Sequence, residues 1–214
     1  MAGKIADIRK NYSRKKLSEN KAEADPILQF RKWWKQALKA NILEVNAMTL
    51  ATSSAEGLPS ARIVLLKGFD HQGFVFFTNY DSYKGQQLAA NPKACLVFFW
   101  KELERQIRIT GLVEKLSTEE SDTYFHSRPV DSQYGAVASP QSHVIRDRDW
   151  LESQFDAIKK EYQNKEVPRP EHWGGFIVKP VEIEFWQGRP GRLHDRLQYS
   201  LMNDGEWKME RLAP

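Results

Sequence analysis

The chain has 214 residues, of which 41% are hydrophobic and 12% aromatic, enough to build a domain with an apolar core. Its 32 Lys and Arg residues against 28 Asp and Glu give a formal net charge of +4, which suits small anionic ligands but is too even to indicate nucleic-acid binding. The single cysteine, Cys95, excludes an intrachain disulfide, and the longest apolar runs, such as IVLL and CLVFFW, are far too short for a membrane helix.

The amino-terminal residues are polar and rich in lysine. They lack the apolar stretch of a secretory signal, so we expect a soluble, cytoplasmic protein. Residues 1–24 are predicted to form a flexible arm, although Ile5, Ile8 and Tyr12 fall at helical spacing, so part of the arm could fold over the rest. Residues 25–214 are predicted to form one domain.

The first half of the domain begins with a helix and continues as strands. Asp25 and Pro26 have the pattern of an N-cap followed by proline, which predicts a helix over 26–40. Period-2 alternation then predicts strands, interrupted only by a short helix over 82–92 that ends at Asn91-Pro92. The predicted strands cover 47–54, 60–69, 73–79, 94–102 and 105–116.

The second half has helices first and strands last. Ser117 and Glu120 form a capping-box pattern that predicts a helix through about His126. A short helix over 131–139 and an amphipathic helix over 147–164 follow, then a loop over 168–175. The remaining strands are predicted over 176–180, 181–188, 192–200 and 205–212. Short turns between strands favour an antiparallel barrel or sandwich, mainly β with peripheral helices, in the α+β class.

Near the carboxyl end, the stretch Arg192-Leu193-His194-Asp195-Arg196 concentrates positive charge. If it is extended, Arg192, His194 and Arg196 share one face. Such a face is either an anion site, since a guanidinium suits phosphate, or a solvated basic strand, and the pattern alone leaves both open.

Other basic and hydroxyl side chains fall at strand ends. Arg62 and Lys67 bound the apolar stretch RIVLLK, and Thr78 and Lys84 flank the turn into the helix over 82–92, where donors at a helix N-terminus suit an anion. The sequence contains no glycine-rich phosphate loop and no metal-binding pattern, so no metal is predicted.

Longer motifs give a more specific indication. The sequence carries FFTNYDSYKG (76–85), ERQIRITG (104–111), YFHSRPVDSQYGAVASPQS (124–142), WGGF (173–176), IEFWQG (183–188) and RLHDRLQY (192–199). With RIVLLK, and over nearly the whole chain, these resemble the pyridoxine/pyridoxamine 5′-phosphate oxidase family. The resemblance implies an FMN-binding split β-barrel, antiparallel and Greek-key-like, that forms a homodimer with FMN at the subunit interface.

The resemblance also implies site residues. The FMN contacts match Arg62, Ile63, Val64, Leu65, Leu66, Lys67, Phe77, Thr78, Lys84, Gln106, Gln141, Ser142, Trp186 and Arg196. The substrate phosphate matches Lys67, Tyr124, Arg128 and Ser132, and the catalytic residues over the substrate ring match Arg192 and His194, with Leu193 between them. Arg9 and Tyr12 match positions that cover the site as a lid.

The implied reaction is oxidation of pyridoxamine or pyridoxine 5′-phosphate to pyridoxal 5′-phosphate, with hydride passing from C4′ to flavin N5 and dioxygen reduced to hydrogen peroxide. Three departures from the family pattern stand out: Tyr83 replaces an arginine that contacts the FMN phosphate, Phe77 replaces a tyrosine and Val130 replaces an arginine. We expect Tyr83 to weaken FMN retention without abolishing it.

Two other kinds of function remain open from the sequence. One is a different flavin or haem protein on the same barrel, such as a flavin reductase. The other is a non-catalytic protein that binds B6 phosphates, or binds single-stranded nucleic acid through the KNYSRKK segment. Neither a nucleic-acid partner nor a membrane is our prediction.

Overall fold

A computed structural model describes residues 5, 11–13 and 15–214 of the chain. The helices are α1 (Pro26–Lys39), α2 (Tyr83–Ala90), α3 (Thr118–Ser127), α4 (Val130–Ala138) and α5 (Arg148–Glu161). The strands are β1 (Ala47–Ser53), β2 (Pro59–Leu65), β3 (Gly68–Asp70), β4 (Gly73–Asn79), β5 (Lys93–Trp100), β6 (Arg105–Lys115), β7 (Trp173–Gln187), β8 (Asp195–Leu201) and β9 (Trp207–Leu212). None of the helices in this described part is long and apolar enough to cross a membrane.

The strands belong to one sheet with the order β2-β1-β5-β6-β7-β4-β3, and β8 and β9 extend from β7. The pairs β3–β4, β4–β7, β7–β8 and β8–β9 are antiparallel. In β4–β7, Phe77 lies opposite Gly175, and in β7–β8 Trp186 lies opposite Arg196. This arrangement confirms the predicted antiparallel, mainly β class.

The chain divides into two compact units. The first unit contains the described residues up to 49 together with 95–110 and 180–214. Its core forms where α1 covers the sheet: Trp33 meets Phe185 edge-on at 5.2 Å between ring centroids, and Phe30 meets Phe98 at 5.3 Å. The side chain of Asp25 accepts hydrogen bonds from the amides of Ile27 and Leu28, which fixes the start of α1 as predicted.

The second unit contains residues 50–94 and 111–179. One part of its core packs Phe76 against Phe176 within the sheet. The other part lies under the helices and is built on Phe125, Tyr134, Val167 and Trp173. The predicted capping box is present, since Ser117 and Glu120 exchange side-chain and backbone hydrogen bonds at the start of α3.

Several predicted boundaries are wrong. The strand predicted over 60–69 breaks at residues 66–67, and the two strands predicted over 176–180 and 181–188 are one strand, β7, which runs through Pro180 without interruption. β7 also begins at Trp173, which was assigned to a loop. The strand predicted over 192–200 begins only at Asp195, because Pro190–Arg192 forms a 3-10 turn with Arg192 at a φ of 62°.

Candidate functional site

A cavity of about 480 Å³ in the second unit brings together most of the site residues predicted there. Its walls come from β2, the end of β4, the start of α2 and the junction between α3 and α4. The predicted residues that line it are Ile63, Val64, Leu65, Lys67, Phe77, Thr78, Lys84, Tyr124, Arg128, Ser132 and Gln141. Pro129 and Trp173 also line it and were not predicted.

Lys84 is the centre of a polar group in this cavity. Its ammonium donates to the hydroxyls of Thr78 at 3.1 Å and Ser82 at 3.0 Å and to the side-chain carbonyl of Gln141 at 2.6 Å. Burial and the nearby charge of Arg62 lower the pKa of Lys84 to about 8. In the described part of the chain, neither Lys84 nor Arg62 has a carboxylate among its hydrogen-bond partners, and two neighbouring cations of this kind favour an anionic ligand.

Arg62 is not among the residues that line the cavity. Its guanidinium donates to the Leu50 carbonyl at 3.1 Å and to the hydroxyls of Thr52 at 2.6 Å and Ser60 at 2.5 Å. These acceptors are neutral, so they fix the guanidinium without cancelling its charge. Tyr83, which replaces the family's arginine, is half-exposed at the first turn of α2.

Arg128 is the second cationic group of the cavity. It caps the end of α3, where Pro129 prevents the helix from continuing, as predicted. Its Nη1 atom is buried and has no hydrogen-bond partner among the described residues. Burial lowers the pKa of Arg128. A buried donor without a partner is costly, so this atom is a candidate contact for a ligand.

An aromatic wall supports Arg128. Phe77 and Tyr124 stack at 3.8 Å between centroids, Tyr124 and Trp173 are parallel within 4°, and the Arg128 guanidinium lies 4.6 Å from the centre of the Trp173 ring. Trp173 was missed because the WGGF motif was assigned to a loop. The signal that could have found it is a large aromatic residue placed directly before two glycines in a strand.

Besides Arg62, two predicted FMN contacts in this unit do not line the cavity. Leu66 is buried in the core, and Ser142 is exposed, with a φ of 71°. Their assigned roles remain predictions.

The first unit contains a second group of candidate residues. The rings of Trp186 and His194 lie 4.5 Å apart, and Tyr12 packs edge-on against both, at 5.7 Å and 5.9 Å. The Arg189 amide donates to Nδ1 of His194 at 3.1 Å, so the neutral ring carries its proton on Nε2. Burial and the charge of Arg192 lower the pKa of His194, which favours this neutral form.

The proposed common face of Arg192, His194 and Arg196 is wrong. It required an extended chain, whereas Arg192 lies in a turn with a left-handed backbone and is exposed. Leu193 is exposed as well. His194 instead packs on Trp186, and Arg196 forms an ion pair with a carboxylate.

That carboxylate is Glu184 on β7, which is only 2% exposed. It accepts two hydrogen bonds from Arg196, at 2.8 Å and 3.1 Å, and lies 2.9 Å from Arg108. Arg196 also donates to the Ala213 carbonyl at 2.8 Å. Two arginines therefore make the burial of Glu184 possible.

The segment that carries Tyr12 is tied to the end of the chain. Arg211 makes two hydrogen bonds of 2.7 Å to the Glu19 carboxylate and one of 3.0 Å to Asp195, while the Leu17 amide donates to Asp195 at 3.0 Å. Gly188 lets Tyr12 approach, because a Cβ atom there would lie 2.7 Å from the tyrosine ring. Gln106 is half-buried on β6, and Arg9 lies outside the described residues.

Comparison with known proteins identifies relatives over the full chain. Residues 34–162 match the family described as pyridoxamine 5′-phosphate oxidase, and residues 173–214 match the pyridoxine 5′-phosphate oxidase C-terminal dimerisation region. A pyridoxine/pyridoxamine 5′-phosphate oxidase of Nostoc sp. is 59% identical over 210 residues, 98% of each chain. The enzyme of the same name from Salinibacter ruber is 57% identical over 213 residues, 99% of each chain.

Solved structures agree on the fold. PhzG from Burkholderia lata, solved in complex with tetrahydrophenazine-1-carboxylic acid, has a TM-score of 0.88 and 30% identity, and the match covers 94% of this chain and 100% of that one. An FMN-binding protein of Nostoc punctiforme, related to pyridoxamine 5′-phosphate oxidase, has a TM-score of 0.71 at 17% identity, with 86% and 97% of the two chains covered. The predicted split-barrel fold is thus confirmed.

Proposed function

Because the chain belongs to the pyridoxamine 5′-phosphate oxidase family, we propose that it is an FMN-dependent oxidase that converts pyridoxamine 5′-phosphate and pyridoxine 5′-phosphate to pyridoxal 5′-phosphate. The observation that carries the proposal is the cavity of the second unit, where Lys84 and Arg128 are half-buried and neither pairs with a carboxylate among the residues that the structure describes. Both the proposed cofactor and the proposed substrates carry a phosphate that such cations can bind.

The residues around Lys84 fit the phosphate of FMN. The ammonium of Lys84, the hydroxyl of Thr78 and the side-chain amide of Gln141 form one hydrogen-bonded group, and the charge of Arg62 reaches it. An anion here would offset both the burial and the repulsion by Arg62, which together lower the pKa of Lys84. We assign the remaining FMN contacts to the residues that the family resemblance implies, in both units.

The substrate phosphate is assigned to Arg128, with Lys67, Tyr124 and Ser132. Lys67 and Tyr124 line the same cavity, and Ser132 lies one turn into α4. Holding a phosphate remote from the reacting carbon converts its binding energy into orientation of the ring. The unpaired Nη1 of Arg128 would gain an acceptor on binding.

The substrate ring is assigned to Arg192 and His194. With Nδ1 occupied by the Arg189 amide, Nε2–H of His194 is available to donate to a polar atom of the ring. The exposed guanidinium of Arg192 is assigned to hold the ring in place and to stabilise charge that develops near C4′. Tyr12, held against His194, excludes water from that side, and we assign the same covering role to Arg9.

When bound, FMN supplies the redox chemistry: it accepts a hydride equivalent from C4′ and passes two electrons to dioxygen, which gives hydrogen peroxide. The protein contributes binding, orientation and electrostatics. The dimerisation region over 173–214 supports a homodimer, and we propose that FMN binds at its interface. A cytoplasmic location remains a prediction.

An absorption spectrum tests the proposal in one cuvette. We expect a flavin band after addition of FMN, bleaching with pyridoxine 5′-phosphate under anaerobic conditions, and recovery with peroxide formation in air. A protein that binds FMN but does not bleach would be a carrier or a different flavoprotein, and one that takes up no FMN would overturn the proposal.

A pair of variants tests the division of labour. Arg192→Ala is expected to lose far more rate at saturating FMN than Lys84→Ala, which should mainly weaken FMN binding. Equal losses in kcat would contradict these roles.

A further inference from the structure

Two arginines of the second unit contact Trp173 in different ways. Arg169 forms a 2.5 Å ion pair with Asp122 and donates to the Trp173 carbonyl at 2.6 Å. Its charge is therefore neutralised, and its role is structural. The guanidinium of Arg128 lies on the ring face of Trp173. No ion pair to a carboxylate is found for Arg128 among residues 5, 11–13 and 15–214.

The ring of Trp173 is itself fixed. Its amide donates to the Pro170 carbonyl at 3.0 Å, its carbonyl is held by Arg169, and its side chain is buried. Phe77 and Tyr124 stack in parallel with it. Because the backbone of Trp173 is hydrogen-bonded and its ring packs beside two parallel aromatic rings, the ring offers the guanidinium a rigid surface.

Arg128 packs against an aromatic ring instead of pairing with a carboxylate, and this difference has a physical consequence. An aromatic face orients a guanidinium through its quadrupole without cancelling the charge. A carboxylate in the same place would neutralise Arg128 and compete with a phosphate for its donors. The Gln133 side chain holds the Arg128 carbonyl at 2.9 Å, which fixes the backbone by a second neutral contact.

We propose that Trp173 is a positioning residue for phosphate recognition: it holds Arg128 in place while leaving the full guanidinium charge for the substrate phosphate. The inference rests on the proposed function, because it takes Arg128 as the substrate-phosphate ligand. It adds a residue whose effect on the substrate passes through Arg128.

The test compares Trp173→Phe and Trp173→Leu with the wild type, using pyridoxine 5′-phosphate and pyridoxine as substrates. We expect the preference for the phosphorylated substrate, as a ratio of kcat/KM values, to fall about threefold in the Phe variant and about tenfold in the Leu variant. The loss should lie mainly in KM. Melting curves show whether the Leu variant is folded. If it is not, the proposal is tested on the Phe variant alone, which keeps an aromatic ring at this position.

A double-mutant cycle with Arg128→Met separates positioning from direct contact. If Trp173 acts through Arg128, then Trp173→Phe has little further effect on the phosphate preference in the Arg128→Met background. Additive losses, or equal losses with pyridoxine, would overturn the proposal. Arg148→Met is the matched control: it removes an exposed guanidinium that pairs with Glu152 on α5, and it should keep the preference.

Calorimetric titration of the FMN-treated proteins with inorganic phosphate distinguishes the two possible failures. If the wild type shows no oxidase activity, the proposed function fails. The positioning role still stands if the binding component lost in Arg128→Met is weakened in Trp173→Phe, and it fails if that component is unchanged.

Discussion

The pKa of Lys84 makes the proposed FMN affinity depend on pH. Burial and the charge of Arg62 lower this pKa to about 8, so the ammonium loses its proton well below the value for a lysine in water. A bound phosphate stabilises the charged form. FMN binding should therefore take up a proton whenever free Lys84 is partly neutral.

The magnitude follows from the position of that pKa. The second pKa of the FMN phosphate is about 6, so above pH 7 the phosphate is already ionised and Lys84 is the group whose charge changes. If FMN binds the ammonium form, affinity is weaker than at low pH by about twofold at pH 8 and about elevenfold at pH 9, and it approaches a tenfold loss per pH unit above that. Proton uptake should be about 0.1 per site at pH 7, about 0.5 at pH 8 and about 0.9 at pH 9.

Calorimetry in buffers of different ionisation enthalpy measures both quantities, with Lys84→Arg as the matched variant. Arginine keeps its charge throughout this range, so its affinity profile should be flat and its proton uptake near zero. If Lys84→Arg shows the same decline as the wild type between pH 7.5 and 9.5, the titrating group is not Lys84 and the reasoning fails.

Three further substitutions test separate features. Glu184→Gln leaves Arg196 without its buried counter-charge, so the free energy of unfolding in urea should fall by about 2 kcal/mol. Gly188→Ala places a methyl group 2.7 Å from the Tyr12 ring and should shift the tryptophan emission as Tyr12 is displaced. Ser117→Ala removes the capping box and should cost about 1 kcal/mol in thermal or urea unfolding.

Each of these has a control on the same chain. Glu182→Gln replaces a carboxylate that accepts a hydrogen bond from the Gln198 side-chain amide, and it should lower the free energy of unfolding by under about 0.5 kcal/mol. An equal loss in Glu182→Gln and Glu184→Gln would contradict the ion-pair argument. Gly135→Ala adds a methyl group in open space and should leave the emission unchanged. Ser117→Thr keeps a capping hydroxyl, so a loss equal to that of Ser117→Ala would show that the cap is not the cause.

Local signals predicted much of the fold. The caps at Asp25 and Ser117 fixed two helix starts, because a side-chain oxygen next to free amides acts within a few residues. The break at residues 66–67 and the continuity of β7 through Pro180 could not be read in this way. Both depend on which strand lies alongside, which is information from residues far along the chain.

The site was predicted less evenly. Family motifs identified most residues of the cavity. Strand alternation failed for Arg192, because Gly191 and Arg192 both have a left-handed backbone and lie in a turn before β8. Glu184 and Trp173 were missed for a related reason. A buried carboxylate is revealed only by its arginine partners, and an aromatic residue that holds a guanidinium looks like any core residue in the sequence.

The contact between Ala213 and Arg196 has a practical consequence for protein production. The Ala213 carbonyl accepts a hydrogen bond from Arg196, one of the candidate residues of the first unit. An affinity tag fused after Pro214 would begin within two residues of this contact. The exposed turn at 202–206 lies at the other end of β8, about 20 Å away along a seven-residue strand. A capture sequence inserted in that turn would leave the contact of Ala213 intact during immobilisation or labelling.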